Sequence, residues 1–201
     1  MDNRVHRIGL TGPTGSGKGL LSGWLSGRGA AVIDCDRVAR EVTAPGHPCL
    51  AALAEAFSPT VLRPDGSLDR AALAACAFAD AQSCARLNRI THPFILALCR
   101  ERADAAQAAG RTLIVWDAPT LFESGLDRDC TDTVAVLAPP ETRLARIRAR
   151  DGLDEAAALL RMRAQHDDAF YREHADAVLD NDGTPEELYA KAERWLSCVL
   201  S

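Results

Sequence analysis

The stretch that most constrains what this chain can fold into is Gly12-Pro13-Thr14-Gly15-Ser16-Gly17-Lys18-Gly19. It follows G-x-x-x-x-G-K, the phosphate-cradling P-loop, but Gly19 stands where the pattern calls for Ser or Thr. Such a loop works through backbone N–H groups that converge on phosphate oxygens. Its glycines allow unusual dihedrals and close approach of the ligand. It then opens a helix, whose N-terminus attracts anions. The motif therefore demands a strand before it and a helix after it. Arg7–Thr11, with apolar Ile8 and Leu10, supplies the strand. Leu20 to Leu25, apolar at helical spacing, supplies the helix. Residues Gly12, Pro13, Thr14, Gly15, Ser16, Gly17, Lys18, Gly19 and Leu20 are thus expected around the phosphates of a nucleoside triphosphate. The hydroxyl missing at Gly19 normally ligates the nucleotide's Mg²⁺. Mg²⁺ keeps several waters in such sites, and one of them can fill that position.

Four further runs read as strands: Ala31–Asp34, Thr112–Trp116 ending at Asp117, Thr133–Leu137 and Ala177–Asp180. They are short and mostly apolar, as strands buried on both faces of a parallel sheet are. Helical segments separate them, so the class is α/β, a three-layer α/β/α fold on a five-stranded parallel sheet. From about Pro45 to Gly110 no strand pattern appears, and turns are expected at Pro59, at Pro64-Asp65-Gly66 and at His92-Pro93. This stretch is a helical insertion far longer than a crossover needs. At the carboxyl edge of a parallel sheet, it is well placed to bind a second substrate. From Pro140 to about His166 the chain is helical and Arg-rich, interrupted by Asp151-Gly152, like a helix–turn–helix lid. The expected division is a nucleotide-binding core over 1–45, 111–139 and 168–201, a substrate domain over 46–110 and a lid over 140–167. A final helix is capped by Thr184, with Pro185 at its first position and Glu187 closing a capping box.

Composition narrows the function. A chain of 201 residues, 47% apolar, builds one compact unit with small subdomains. A net charge of −5 argues against a broad nucleic-acid footprint, so phosphate binding must rest on local positive charge. The seven cysteines form no CxxC pair and no zinc spacing, and read as reduced, mostly buried thiols. No signal-peptide core and no membrane-length apolar run is seen, so a cytoplasmic protein is expected, a monomer or weak homo-oligomer.

Several side chains suit phosphoryl chemistry. Asp34 and Asp36 flank Cys35 after the second strand, and alternation would put both on one face. One of them, Asp36 by preference, would accept or orient a proton from an attacking hydroxyl. The other reading of Asp36 is a helix N-cap. Asp117 ends the third strand, where an acid supports Mg²⁺, unless it is only a solvated strand end. Arg146 and Arg150 lie one helical turn apart, and their guanidinium groups fit a transferring phosphate. His92-Pro93 reads as a helix start with proline at its first position. Arg40 could reach an anionic substrate or pair with Glu41. His6, His47, His166 and His174 show no metal spacing and read as structural. On these residues alone, a kinase for another small molecule, or a nucleotide binder without chemistry, stays open.

The order of these segments resembles the dephospho-CoA kinase family. Ile8–Gly12 looks like that family's opening, and Val32–Asp36 followed by Ala39–Val42 is similar to its "DAD…AR" segment. Asp65–Arg70, Leu87-Asn88 and Thr91–Pro93 resemble its CoA-side helical domain. Pro119–Glu123 resembles its "PLLFE", Arg146–Arg150 and Arg161–Gln165 its lid, and Ala175-Asp176 through Asn181–Gly183 its closing "AD…ND". The resemblance implies ATP-dependent phosphorylation of the ribose 3′-hydroxyl of dephospho-CoA, with Mg²⁺. It implies Asp36 as base, Thr11 near the reacting groups, and Arg146, Arg150 and Asn181 on the nucleotide. It also implies Asp34, Arg40, His92, Phe122 and Glu123 on the acceptor; with no hydroxyl at Gly19, the strand-end Asp117 and Asp36 are the acids expected at the metal. Gly19 replaces the family's Ser, Pro13 a Gly and Thr120 a Leu.

Overall fold

The computed structural model describes residues 4–201. Its strands are β1 (His6–Thr11), β2 (Ala31–Asp34), β3 (Leu113–Asp117), β4 (Asp132–Leu137) and β5 (Ala177–Asp180). They form one sheet in the order β2-β3-β1-β4-β5. Central β1 runs parallel to both neighbours, with Ile8 opposite Val115 on one side and Asp132 on the other. β4 and β5 are parallel as well. The strands lie where the apolar runs predict them, with ends displaced by no more than one residue. The helices are α1 (Lys18–Gly27), α2 (Cys35–Glu41), α3 (Pro48–Ala56), α4 (Arg70–Ala77), α5 (Ala81–Ala108), α6 (Leu121–Ser124), α7 (Pro140–Asp151), α8 (Glu155–Arg163), α9 (Asp168–His174) and α10 (Pro185–Val199). None is long and apolar enough to cross a membrane.

Two-residue alternation along β4 builds the layers. Val134 and Val136 join a core with Leu21 and Leu25 of α1 and with Leu188, Ala192 and Leu196 of α10. Ala135 and Leu137 face the other way, onto Tyr171 of α9 with Phe122 and Phe170 packed beside it. The sheet at β4 thus carries a helical layer on either face. Full burial of side chains such as Leu21 and Leu25 contributes about 1.5–3 kcal/mol apiece. α10 begins as its sequence demands, with Thr184 and Glu187 in a reciprocal capping box and Pro185 in the first turn.

The chain divides into two units. One runs up to Ile33 and resumes from Ala105 to Ser201; the other is Asp34–Asp104. Within the second unit, side-chain caps start four helices: Asp34 at α2, His47 at α3, Asp69 at α4 and Asp80 at α5. The turn at Pro64-Asp65-Gly66 closes a small antiparallel bridge between Leu62 and Leu68, in a stretch where no strand pairing is expected from sequence. Glu41 gathers two arginines, Arg37 one turn before it and Arg102 of α5.

Two expectations fail here. His92-Pro93 does not start a helix, because α5 runs unbroken from Ala81 to Ala108 with Pro93 inside it. Thr91, Cys99 and Ala103 form a buried stripe that passes the proline, and Thr91 Oγ1 donates to the Leu87 carbonyl at 2.9 Å. Packing along that stripe offsets the roughly 3 kcal/mol an interior proline costs. Nor does strand alternation place Asp34 and Asp36 on one face. β2 ends at Asp34 and α2 begins at Cys35, so the two acids belong to different elements.

Candidate functional site

The P-loop leaves β1 at Thr11 and enters α1 at Lys18. Thr11 is fully buried and donates its hydroxyl to the Pro119 carbonyl at 3.4 Å. Gly12 has φ 142°, and a Cβ there would stand 2.3 Å from the Val136 carbonyl oxygen. Gly15 has φ 79°, and its Cβ would meet the backbone of Arg143 at 2.8 Å. No side chain fits either place, so these glycines follow from close backbone approach. Gly17 caps α1 in the left-handed region, and the amide of Ser16 closes the loop onto the Pro13 carbonyl at 3.1 Å. Gly19 is different. A Cβ there meets nothing within 4 Å, and its backbone is ordinary helix, so neither sterics nor dihedral demands a glycine.

Side chains from α7, from the chain after α8 and from the end of β5 hold the loop. Arg143 Nε donates to the Thr14 carbonyl at 3.3 Å. Arg146 Nη1 donates to the carbonyls of Gly15 and Ser16, both at 3.3 Å. Asn181, buried just past β5, donates its amide to the Ser16 carbonyl at 2.7 Å. Gln165 Oε1 accepts the Thr14 N–H at 2.8 Å. Arg150 pairs with Asp151 at 2.8 and 2.9 Å and reaches Thr14 Oγ1 at 3.5 Å. That pairing holds the Asp151 carboxyl below its usual range, with Arg161 adding to the effect. Sequence reasoning singled out Arg146, Arg150 and Asn181 but passed over Arg143 and Gln165. Their signal was weak, since one arginine among six in a helical stretch carries no mark of burial.

Lys18 is ion-paired to Asp117, the last residue of β3, and both are largely buried. The strand-end reading of Asp117 as a merely solvated acid therefore fails, because it sits against the P-loop lysine. Among the described residues no group of three His, Cys, Asp or Glu could hold a metal. One carboxylate beside a phosphate cradle is the donor set for Mg²⁺ that arrives with triphosphate oxygens and keeps its waters, not for an ion in an all-protein cage. The residues fit that ion.

A cleft of about 250 Å³ opens beside the loop that follows β3, lined by Pro119, Thr120 and Glu123 on one side and Gln165, His166 and Tyr171 on the other. Glu123 lies 3.2 Å from His166 Nε2. The His166 ring stacks on Phe170 at 3.7 Å, and Phe122 meets Phe170 edge-on at 5.9 Å. Phe122 is thus a packing residue that carries Glu123 to the cleft wall. His166, read from sequence as structural only, completes that wall. His47 is structural: its Nδ1 accepts the Cys49 amide and caps α3.

Asp34, Asp36, Arg40 and His92 belong to the second unit. Asp34 accepts the Arg37 amide at 3.0 Å and so fills the N-cap of α2. That removes the cap reading from Asp36, which stands exposed in the helix's first turn. Arg40 follows one turn later on the same helix, also exposed. His92 lies in the middle of α5.

Comparison with known proteins covers nearly all of the chain. The profile of the dephospho-CoA kinase family matches residues 6–187. A protein of Corynebacterium glutamicum named dephospho-CoA kinase is 44% identical over 97% of this chain and 98% of its own. A crystal structure from Thermus thermophilus superposes with a TM-score of 0.81 at 34% identity, covering 98% of this chain and 97% of that one. The dephospho-CoA kinase from Campylobacter jejuni, 24% identical with a TM-score of 0.69, shares the fold over 97% and 98% of the two chains. With a P-loop held between α7 and β5 and a match of this extent, the chain belongs to the dephospho-CoA kinase family.

Proposed function

We propose that this protein transfers the γ-phosphoryl group of ATP to the ribose 3′-hydroxyl of dephospho-CoA, giving coenzyme A and ADP. The observation that carries the reading is the phosphate cradle of Gly12–Leu20 in a chain whose family match runs almost end to end. The loop amides and Lys18 bind the β- and γ-phosphate oxygens. Asp36 takes the proton of the 3′-hydroxyl as its oxygen bonds to the γ-phosphorus, and the bond from that phosphorus to the ADP oxygen breaks in line. Arg146 and Arg150 offset charge on the phosphates as transfer proceeds. Asp117 and Asp36 are the residues that would hold Mg²⁺, and the ion would supply neutralisation of the nucleotide's phosphate charge. Asp34, Arg40, His92 and Glu123 contact the acceptor. Residues 46–110 bind its CoA portion, and 140–167 close as a lid that excludes water.

A panel of acceptors with ATP tests the reading. Dephospho-CoA is expected to be the preferred acceptor, with nucleosides and sugars turned over far more slowly. Phosphorylation of one of those in preference to dephospho-CoA contradicts it. Asp36→Asn is expected to lower kcat by about 10²-fold or more while KM for ATP stays within about twofold, the mark of a base rather than a scaffold. Parallel losses in both constants argue for a structural role.

A further inference from the structure

We infer that Arg143 is a positioning residue that orients the loop's phosphate-binding amides from behind, without itself touching the nucleotide. This rests on reading Gly12–Leu20 as the phosphate site. In a planar trans peptide, the carbonyl of one residue and the N–H of the next point to opposite sides. A group that fixes a carbonyl therefore fixes the direction of the following N–H. Three consecutive loop carbonyls, those of Thr14, Gly15 and Ser16, each accept from a cationic or amide donor. The N–H groups of Gly15, Ser16 and Gly17, which share those peptide planes, each point away from that donor. Ser16 spends its N–H on the Pro13 carbonyl, which leaves the Gly15 and Gly17 amides as the pair whose direction these donors set.

Arg143 is the donor with the least freedom to do anything else. It is buried, and its Nη1 is held by Asp168 of α9 at 3.1 Å while Nε serves the Thr14 carbonyl. Its own backbone stands where a Cβ of Gly15 would be, 2.8 Å from carbonyl oxygen and 3.0 Å from Cα, so α7 and the loop cannot slide past each other there. A guanidinium fixed at both ends is a preorganised donor, which an exposed arginine is not. Asp168 keeps the charge paired, so the Thr14 contact does not carry the cost of an unpaired buried cation.

The test compares ADP with adenosine as calorimetric or competition ligands for the full chain. In Arg143→Met, ADP affinity is expected to fall about tenfold or more, as befits loss of a charge-assisted hydrogen bond, while adenosine affinity stays within about twofold. In Asp168→Asn, which loosens the second anchor of the guanidinium but keeps Arg143, ADP affinity is expected to fall less than in Arg143→Met, with adenosine affinity within about twofold; a loss shared equally by ADP and adenosine overturns the inference. Unchanged ADP binding in Arg143→Met overturns the inference, as does an equal loss of ADP and adenosine, the signature of a general packing role. If Arg143→Met does not fold, Arg143→Gln takes its place. It keeps an N–H donor of shorter reach, and a smaller loss confined to ADP supports the inference, whereas equal losses overturn it. Should the unmodified protein bind ADP no better than adenosine, the phosphate-site reading itself fails, and that result is distinct from any variant's behaviour.

Discussion

Gly19 is the residue at which pattern and geometry diverge. Gly12 and Gly15 are required, since a Cβ at either would strike backbone. Nothing within 4 Å would meet a Cβ at Gly19, so its identity is not a consequence of the fold. Gly19→Ser is therefore expected to fit without strain. It should raise thermal stability slightly through better helix propensity, by about 0.5 kcal/mol. It should also lower the Mg²⁺ concentration needed for half-maximal turnover by supplying the missing oxygen ligand. An assay across Mg²⁺ concentrations checks this; an unchanged requirement means that water or Asp117 already fills the position. Lys18 and Asp117 were legible because motif and strand-end placement are local signals. Arg143 and Gln165 were not, because what makes them matter is burial against the loop, 151 sequence positions away for the Thr14 to Gln165 bond.

At the scale of elements, the short apolar strands and the capping box of α10 were readable because each is a local pattern with one physical meaning. α5 was misread at Pro93 because propensity favours a break there and only tertiary packing of the Thr91–Cys99–Ala103 stripe prevents it. α9 went unseen: seven residues capped by Asp167 give no usable period on their own. The α5 correction carries a consequence. Pro93 is exposed, and its ring deprives the Arg89 carbonyl of its usual helical partner. Pro93→Ala should restore that bond and stabilise the protein by about 1–3 kcal/mol, read as a rise in denaturation midpoint; a fall would show that packing around α5 depends on the proline ring.

Across the whole molecule, the side of the sheet that carries α9 holds a phenol in an apolar, acidic setting. Burial, reinforced by the charges of Glu123 and Asp168, raises the Tyr171 pKa from 10.0 to about 12, while Arg143 opposes the shift. The folded state therefore favours the neutral phenol. That preference is fully present below pH 10 and is lost as pH rises through 12, because the unfolded chain ionises first. Wild-type stability should fall by about 1 kcal/mol per pH unit across that window relative to Tyr171→Phe, measured by denaturant unfolding; parallel curves for the two proteins would contradict the assignment. The central claim concerns the reaction itself. Its most direct measurement is incubation of the protein with ATP, Mg²⁺ and dephospho-CoA, followed by mass and ³¹P analysis of the product. The account predicts stoichiometric ADP and a single added phosphate on the ribose 3′-oxygen. ADP without that ester, or a phosphate at another position, would contradict it.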